Sequence, residues 1–292
     1  MVIAIVVAFR DEEQHLPTLL SSLAAQTRRP DRVLLVDDSS VDASPAIAEE
    51  FAEAHSWATV LHRPRRPPTR DRLITAAERR AFLWGVERLG GSFDIIAKMD
   101  GDLDLAPDLL ATLERRFEAD PRLGMAGAYL SVVSPDGELV RERSPAYHVR
   151  GPTKFYRREC YEQVDPIPAV PGWETIDEVK ARMLGWRTAS VESPSGDSIH
   201  LRPTGTRDGA LRGFRRDGQG AYSYGAHPLH VVLGAINRLR DWPKVLGAVS
   251  YLAGWALAAL RRVPRAEPEV RLFARREQLG RIRRRLAERT AR

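Results

Sequence analysis

The feature that most constrains this chain is its opening. Val2 to Phe9 is an uninterrupted apolar run that meets Arg10-Asp11-Glu12-Glu13 at once. A strand exposed on one face would alternate, whereas a continuous run rich in β-branched residues fits a strand buried on both faces. The run lacks a basic leader, so it reads as a strand and not as a secretory signal. The pattern returns at Val33-Leu34-Leu35-Val36, ending in Asp37-Asp38-Ser39-Ser40, and at Phe93 to Met99, ending in Asp100-Gly101-Asp102. Helical spacing lies between these runs. Leu16, Leu19, Leu20 and Leu23 share one face; Ala46 to Ala54 and Leu73 to Leu89 follow, the latter with Ala76, Ala77, Ala81 and Val86 among its apolar positions. A short strand is expected over Thr59–Leu61, a breaker-rich loop over Pro64–Pro68, a helix over Leu109–Phe117 and one strand over Met125–Val133. Strands alternating with helices in this way predict an α/β fold, a mixed and mostly parallel sheet flanked by helices.

Composition narrows the functional classes. At 292 residues the chain accommodates one large domain or a domain with an appendage. Hydrophobic residues make up 43% and charged residues 29%, which is a globular and not a disordered balance. The lone Cys160 excludes a disulfide framework and a cysteine-based zinc site. From Arg261 to Arg292 there are twelve Arg against four Glu; that stretch carries +8 of a net +6, and the rest sums to −2. The basic character therefore belongs to the end of the chain, and nucleic-acid binding by the main domain is not expected.

The carboxylates stand where predicted strands end, and open α/β sheets bind their ligands beyond those ends. Acidic side chains do not hold a phosphate directly. They hold a divalent cation that does, or accept hydrogen bonds from ribose and base. Asp and Ser at strand ends are also ordinary turn formers and helix caps, and for Ser39, Ser40 and Asp42 that reading stands beside the functional one. Asp100, Asp102 and Asp104 gather within five residues after a buried strand. Like charges that close repel unless something positive sits among them.

In order and spacing these pieces resemble the inverting, nucleotide-sugar-dependent glycosyltransferases of family 2, with the GT-A fold. The resemblance runs from about Val2 to about Thr188. It rests on the opening strand with Ala8-Phe9-Arg10-Asp11-Glu12-Glu13 and on Val36-Asp37-Asp38-Ser39-Ser40-Val41-Asp42. It rests also on the DXD motif Asp100-Gly101-Asp102, and on Gly172-Trp173-Glu174-Thr175-Ile176-Asp177-Glu178 followed by Gly185-Trp186-Arg187. The resemblance implies that Ala8 and Phe9 border the nucleobase and that Asp38, with Asp37 as second choice, hydrogen-bonds it. Asp100 would contact ribose or the metal, and Asp102 would coordinate Mn²⁺ or Mg²⁺ on the diphosphate. The catalytic base would be Glu174 or Asp177, with Glu178 third; where the family has a Glu-Asp pair this chain reads Glu174-Thr175. An acidic first turn is also what a helix dipole favours, and both readings can hold together.

His200 follows the expected sheet, in Ile199-His200-Leu201-Arg202-Pro203, and a late His completes the metal site in several GT-A enzymes. The alternative is an ordinary surface or interface His. Arg70 and Arg72 precede a helix, where such enzymes often touch the donor; solvated loop charges are the plainer reading. Lys154, Arg157 and Arg158 suit a strand edge or an acceptor-side patch, and His227 and His230 receive no role. A catalytic domain over 1–202 and a helical, basic extension over 203–292 are expected. In that extension Arg212–Arg216 and Gly218–Gly220 read as a mobile basic loop, a lid over the diphosphate. The processive family motif Gln-x-x-Arg-Trp does not occur, so single sugar addition is expected. Pro228–Ile236 is a short apolar stretch. Val245–Leu260 has sixteen residues without a charge, short of the about twenty a crossing helix needs. Basic residues on both flanks suit an in-plane or re-entrant segment on an anionic membrane; a core helix packed on the catalytic domain or in a dimer is the other reading. A last helix over about Glu269–Arg289 is amphipathic.

The expectation is thus a peripheral enzyme on the cytoplasmic face of the plasma membrane. It would move a sugar from a UDP-sugar, or a GDP- or dTDP-sugar, to a glycan or lipid-linked acceptor in cell-envelope or exopolysaccharide synthesis. Two alternatives stand beside it: a nucleotidyltransferase of related fold, and a non-catalytic nucleotide-sugar or membrane-binding module.

Overall fold

The structure, a computed structural model, describes residues 1–64, 76–134, 136–202, 209–240 and 243–290. Arg70, Arg72, most of the Pro64–Pro68 loop and the start of the helix expected over Leu73–Leu89 lie outside the described residues. In chain order the elements are β1 (Ile3–Phe9), α1 (Leu16–Ala24), β2 (Arg32–Asp37), α2 (Ser44–Ala54), β3 (Ala58–His62), α3 (Ala77–Val86), β4 (Ile95–Met99) and β5 (Leu103–Asp104). Next come α4 (Leu109–Ala119), β6 (Leu123–Ala128), β7 (Leu130–Val133), β8 (Leu139–Arg141), β9 (Thr153–Arg157), α5 (Arg158–Val164), α6 (Trp173–Met183), β10 (Arg187–Val191) and β11 (Ser198–His200). Four helices end the chain: α7 (Ala210–Ser223), α8 (Pro228–Arg238), α9 (Lys244–Leu260) and α10 (Pro268–Thr290). The chain divides into two units. The first holds the described residues within 1–64, 77–165 and 184–202, and the second is built mainly from 166–183 and 209–290.

The first unit carries a seven-stranded sheet of order β10-β6-β9-β4-β1-β2-β3. All its strands run parallel except β9, which pairs antiparallel with both β4 and β6. The continuous apolar runs do what such runs must, burying both faces. On one face Ile3, Ile5 and Val7 of β1, Val33 and Leu35 of β2, and Ile95, Ala97 and Met99 of β4 pack with leucines of α1 and with Leu109, Leu113 and Phe117 of α4. On the other face α3 lies so close that a Cβ on Gly85 would stand 2.8 Å from the side chains of Val6 and Val36.

Two sequence expectations change here. The strand expected over Met125–Val133 is two strands, β6 in the large sheet and β7 in a small one of order β5-β11-β7-β8. The chain switches sheets at Tyr129, whose N–H bonds the Val191 carbonyl at 3.1 Å. Lys154 is at neither a strand edge nor an exposed patch: β9 is interior, and Lys154 lies fully buried opposite the equally buried Lys98 of β4. Arg157 turns back to the Leu123 carbonyl at 3.0 Å.

The second unit contains the third change. The glycine-rich basic stretch Arg212–Gly220 is helix α7, not a loop or lid. Glycine has low helix propensity, but here it serves close approach. A Cβ on Gly218 would overlap the Tyr251 carbonyl oxygen of α9, and one on Gly254 would overlap the Arg215 carbonyl oxygen of α7. The two backbones therefore touch, and only glycine fits at either position. No helix among the described residues is long and apolar enough to cross a membrane.

Gly218→Val or Gly254→Val is expected to lower unfolding stability by about 2–4 kcal/mol, because a rigid backbone oxygen has nowhere to retreat. Gly280→Ala, in α10 with nothing near its Cβ position, should instead raise stability by about 0.5–1 kcal/mol. Urea unfolding of the variants reads both signs; equal small effects would contradict the tight crossing.

Candidate functional site

The site begins with sheet register. Because β1 pairs with β2 on one side and β4 on the other, with Phe9 opposite Asp37 and Val7 opposite Met99, three strands end together. Each is followed by carboxylates: Asp11 and Glu12 after β1, Asp37 and Asp38 at the end of β2, Asp100 and Asp102 after β4. The turns after β1 and β2 pin each other. The Asp11 N–H bonds Ser40 Oγ at 3.1 Å, Asp11 Oδ1 accepts the Val41 N–H at 2.8 Å, and Ser44 Oγ accepts the Glu12 N–H at 2.8 Å. Asp42 accepts the Glu13 and Ser44 N–H groups, each at 3.0 Å. Ser40 and Asp42 thus hold the two turns together. Asp11 (φ 51°) and Ser39 (φ 67°) take left-handed backbone, at a cost of about 1 kcal/mol or more each that the surrounding bonds must hold.

Asp37 and Asp38 are both buried. Asp37 Oδ1 accepts the Ser40 N–H at 2.8 Å, and its other oxygen faces His62 Nδ1 at 3.3 Å. Asp38 pairs with the buried guanidinium of Arg63, which follows β3 as Asp38 follows β2. Ala8 is half-buried. The Phe9 side chain lies in the core, and its carbonyl accepts the Asp38 N–H at 2.9 Å.

The second cluster is assembled by the small sheet. β11 pairs antiparallel with β5, setting His200 opposite Leu103, and the Leu201 N–H bonds the Asp102 carbonyl at 2.9 Å. This brings in His200 from nearly a hundred residues away. His200 Nε2 stands 3.5 Å from Asp102 Oδ1. Arg202 bonds Asp102 Oδ2 at 2.8 Å and reaches both oxygens of Glu12 at 2.6 and 2.7 Å. Asp100 is fixed by its N–H to the Pro152 carbonyl at 3.0 Å and by the buried Lys98 ammonium at 2.6 Å, which also pairs with Glu78 of α3.

Burial, the largest influence, pushes the Asp102 carboxyl up, but His200 and Arg202 outweigh it and hold the group at about 2. Burial likewise pushes His200 down, while Asp102 and Glu142 overcome it and raise the imidazole to about 9. One ligand atom each from Asp100, Asp102 and His200 lies within 4.8 Å of the others. With the His200 proton displaced, two carboxylates and an imidazole make a donor set that would suit Mn²⁺ or Mg²⁺.

Sequence reasoning gave no role to Arg63, Lys98, Glu78 or Glu142. Lys98 alone had a signal, a charge inside the apolar run Ile95-Ile96-Ala97-Lys98-Met99. The other three join the site only through tertiary pairing.

The comparisons with known proteins fit this geometry. The sequence model of the family described as Glycosyl transferase family 2 matches residues 4–169. The chain belongs to glycosyl transferase family 2. A Bacillus subtilis (strain 168) protein named as a glycosyltransferase, EpsH, is 32% identical over 106 residues, which is 36% of this chain and 27% of that relative. Two solved structures share the fold. One is the mannosyltransferase PcManGT from Pyrobaculum calidifontis in complex with GDP-Man and Mn²⁺ (18% identity, TM-score 0.52, 94% of this chain and 78% of that one). The other is S. aureus TarS 1-349 in complex with UDP (13% identity, TM-score 0.55, 90% and 92%).

In this family 2 chain the later acidic motif, Glu174 to Glu178, lies beyond the matched residues and in the second unit. Glu174, in the first turn of α6, is half-buried. Asp177 is fully buried, and its Oδ1 accepts the Glu178 N–H at 2.5 Å. Glu178, also buried, pairs with Arg182 one turn on.

The raised His200 group fixes a pH dependence. Its ordinary value is 6.5 and its folded value about 9, so the stabilisation is complete below about 6.5 and lost as pH rises through about 9. In chelator-treated protein the urea midpoint should fall over that window. His200→Asn should flatten the fall. An unchanged slope in that variant would exclude His200 as its source.

Proposed function

We propose that this chain transfers a sugar from a nucleotide-diphosphate donor to an acceptor hydroxyl, with inversion and in a single addition. The observation that carries the reading is the Asp100–Asp102–His200 cluster after β4, at the carboxyl ends of the parallel strands β1, β2 and β4, with the buried Asp37 and Asp38 at the end of β2. Asp102 and His200 would hold the divalent cation, and Asp100 the cation or the ribose. A cation bound there supplies positive charge opposite the leaving diphosphate. Asp38, oriented by Arg63, takes the nucleobase, with Asp37 as second acceptor, and the chain at Ala8 and Phe9 borders it. The donor is a UDP-sugar by preference, with GDP- and dTDP-sugars as the alternatives; PcManGT was solved with GDP-Man and TarS with UDP.

Inversion needs one base to take a proton from the acceptor hydroxyl as that oxygen attacks the anomeric carbon. Glu174 is the leading choice, because it keeps exposed surface where Asp177 has none. The acceptor is a glycan or lipid-linked intermediate of cell-envelope or exopolysaccharide synthesis, which places the enzyme on the cytoplasmic face of the plasma membrane.

A thermal-shift panel of UDP-, GDP- and dTDP-sugars with and without Mn²⁺ tests the donor site, since a ligand bound to the folded state alone raises its stability. One nucleotide class should stabilise the protein only with metal, and Asp102→Asn should abolish that gain. No stabilisation by any donor, in folded protein, would overturn the reading. Glu174→Gln should leave the donor shift intact and lower transfer by roughly 10²–10⁴-fold. Full transfer in that variant, with loss in Asp177→Asn, would move the base to Asp177. Retained donor binding with no transfer to any acceptor would favour the non-catalytic module.

A further inference from the structure

The second unit turns the wrong side chains outward. In α9 the inward positions are Gly247, Ala248, Tyr251, Gly254 and Ala258, while Val245, Leu246, Val249, Leu252 and Leu260 are exposed, Val245 by 65% and Leu246 by 61%. Helix α8 repeats the inversion: Ala235 and Val231 face in, and Leu229, Val232, Leu233, Ile236 and Leu239 face out. The small core that α7, α8 and α9 share is mostly alanine around Tyr251. A helix facing water places its large apolar residues inward and polar ones outward. Between Lys244 and Arg261 α9 carries no charged residue, and the hydroxyl of its Ser250 bonds the Leu211 carbonyl at 2.7 Å.

The stripes have helical spacing and run the length of both helices, so each would lie flat along an apolar phase and not cross it. Exposed basic residues bracket the stripe: Arg240 before α9 and Lys244 at its first position, Arg261 and Arg262 after it. Two copies meeting through this face would bring those like charges together. An anionic bilayer opposes no such charge, accepts the apolar stripe and attracts the basic rim.

We propose that the outer faces of α8 and α9 together are a docking surface for an anionic lipid bilayer, lying in its interfacial plane. This deepens the membrane placement proposed above and is independent of how the donor binds. The Arg-rich α10 is not the anchor: its Val270 and Ala274 are buried and its Glu277 is paired with Arg182.

The test is co-sedimentation of the full chain with phosphatidylcholine vesicles, with or without about 30% phosphatidylglycerol. Binding is expected to the anionic vesicles and to weaken with salt. The doubly substituted I236E/V249E protein should bind at least about ten-fold more weakly. Neutralising Arg240, Lys244, Arg261 and Arg262 to Gln should cost about five-fold per residue and remove the preference for anionic lipid. Both variants should keep their melting temperature and their donor-induced shift, because every substituted side chain is exposed. Vesicle binding unchanged in I236E/V249E would overturn the α8–α9 surface while leaving membrane placement standing. No binding to either vesicle would overturn both, with the donor shift still reporting on the transferase reading. A dimer in analytical ultracentrifugation that I236E/V249E dissociates would assign the face to a second copy instead.

Discussion

The site depends on one electrostatic problem and its solution. Three neighbouring strands end in carboxylates, and like charges about 4 Å apart repel by about 4 kcal/mol at the effective dielectric of a protein surface. Each cluster is answered by a cation, Lys98 from the same strand and the others from elsewhere in the chain. Arg63 answers Asp38, Lys98 answers Asp100, and Arg202 with His200 answers Asp102 and Glu12. Arg202 is 100 residues from Asp102 and 190 from Glu12 along the chain. The cluster therefore becomes tolerable only once β5 and β11 have paired. Fold and site are coupled through that short antiparallel bridge.

What the sequence made legible follows from which signals are local. β1, β2 and β4 are readable because a strand buried on both faces announces itself by a dense apolar run, broken in β4 only by Lys98, and the acidic residues that follow them are readable with them. The antiparallel insertion of β9 and the transfer of the chain from β6 to β7 are not. Both depend on which strand lies alongside, and Met125–Val133 looks the same whether it serves one sheet or two. His200 was open between ligand and bystander for the same reason, since only the pairing with Leu103 places it. Arg63 and Glu142 carry no local mark at all.

Glycine misled in an instructive way. Gly213, Gly218 and Gly220 lower helix propensity, and among arginines they read as a loop. Propensity is a sum over a residue's own backbone, whereas the α7–α9 crossing rewards a missing side chain on the partner's behalf. The same need explains the small residues along the inner side of α9. Once glycine and alanine have been used to bring backbones together, the leucines and valines of that helix have only the outer side to occupy. The apolar exterior of α8 and α9 is thus the counterpart of a tight interior, and sequence hydrophobicity alone does not say which side it falls on.

The buried cations of the first unit are better understood as positioning than as stabilising. Removing a lysine from water costs several kcal/mol, and a buried ion pair is often no better than an apolar replacement of the same volume. Lys98 is 1% exposed and touches Glu78 of α3, the Gly151 carbonyl at 3.0 Å and Asp100. One ammonium therefore ties a helix, the segment leading into β9 and the carboxylate of Asp100 to a single point. An apolar residue there would pack as well and hold none of the three. The arrangement favours geometry over depth of stability, which is what two carboxylates need if they are to share one cation with a histidine supplied by another strand.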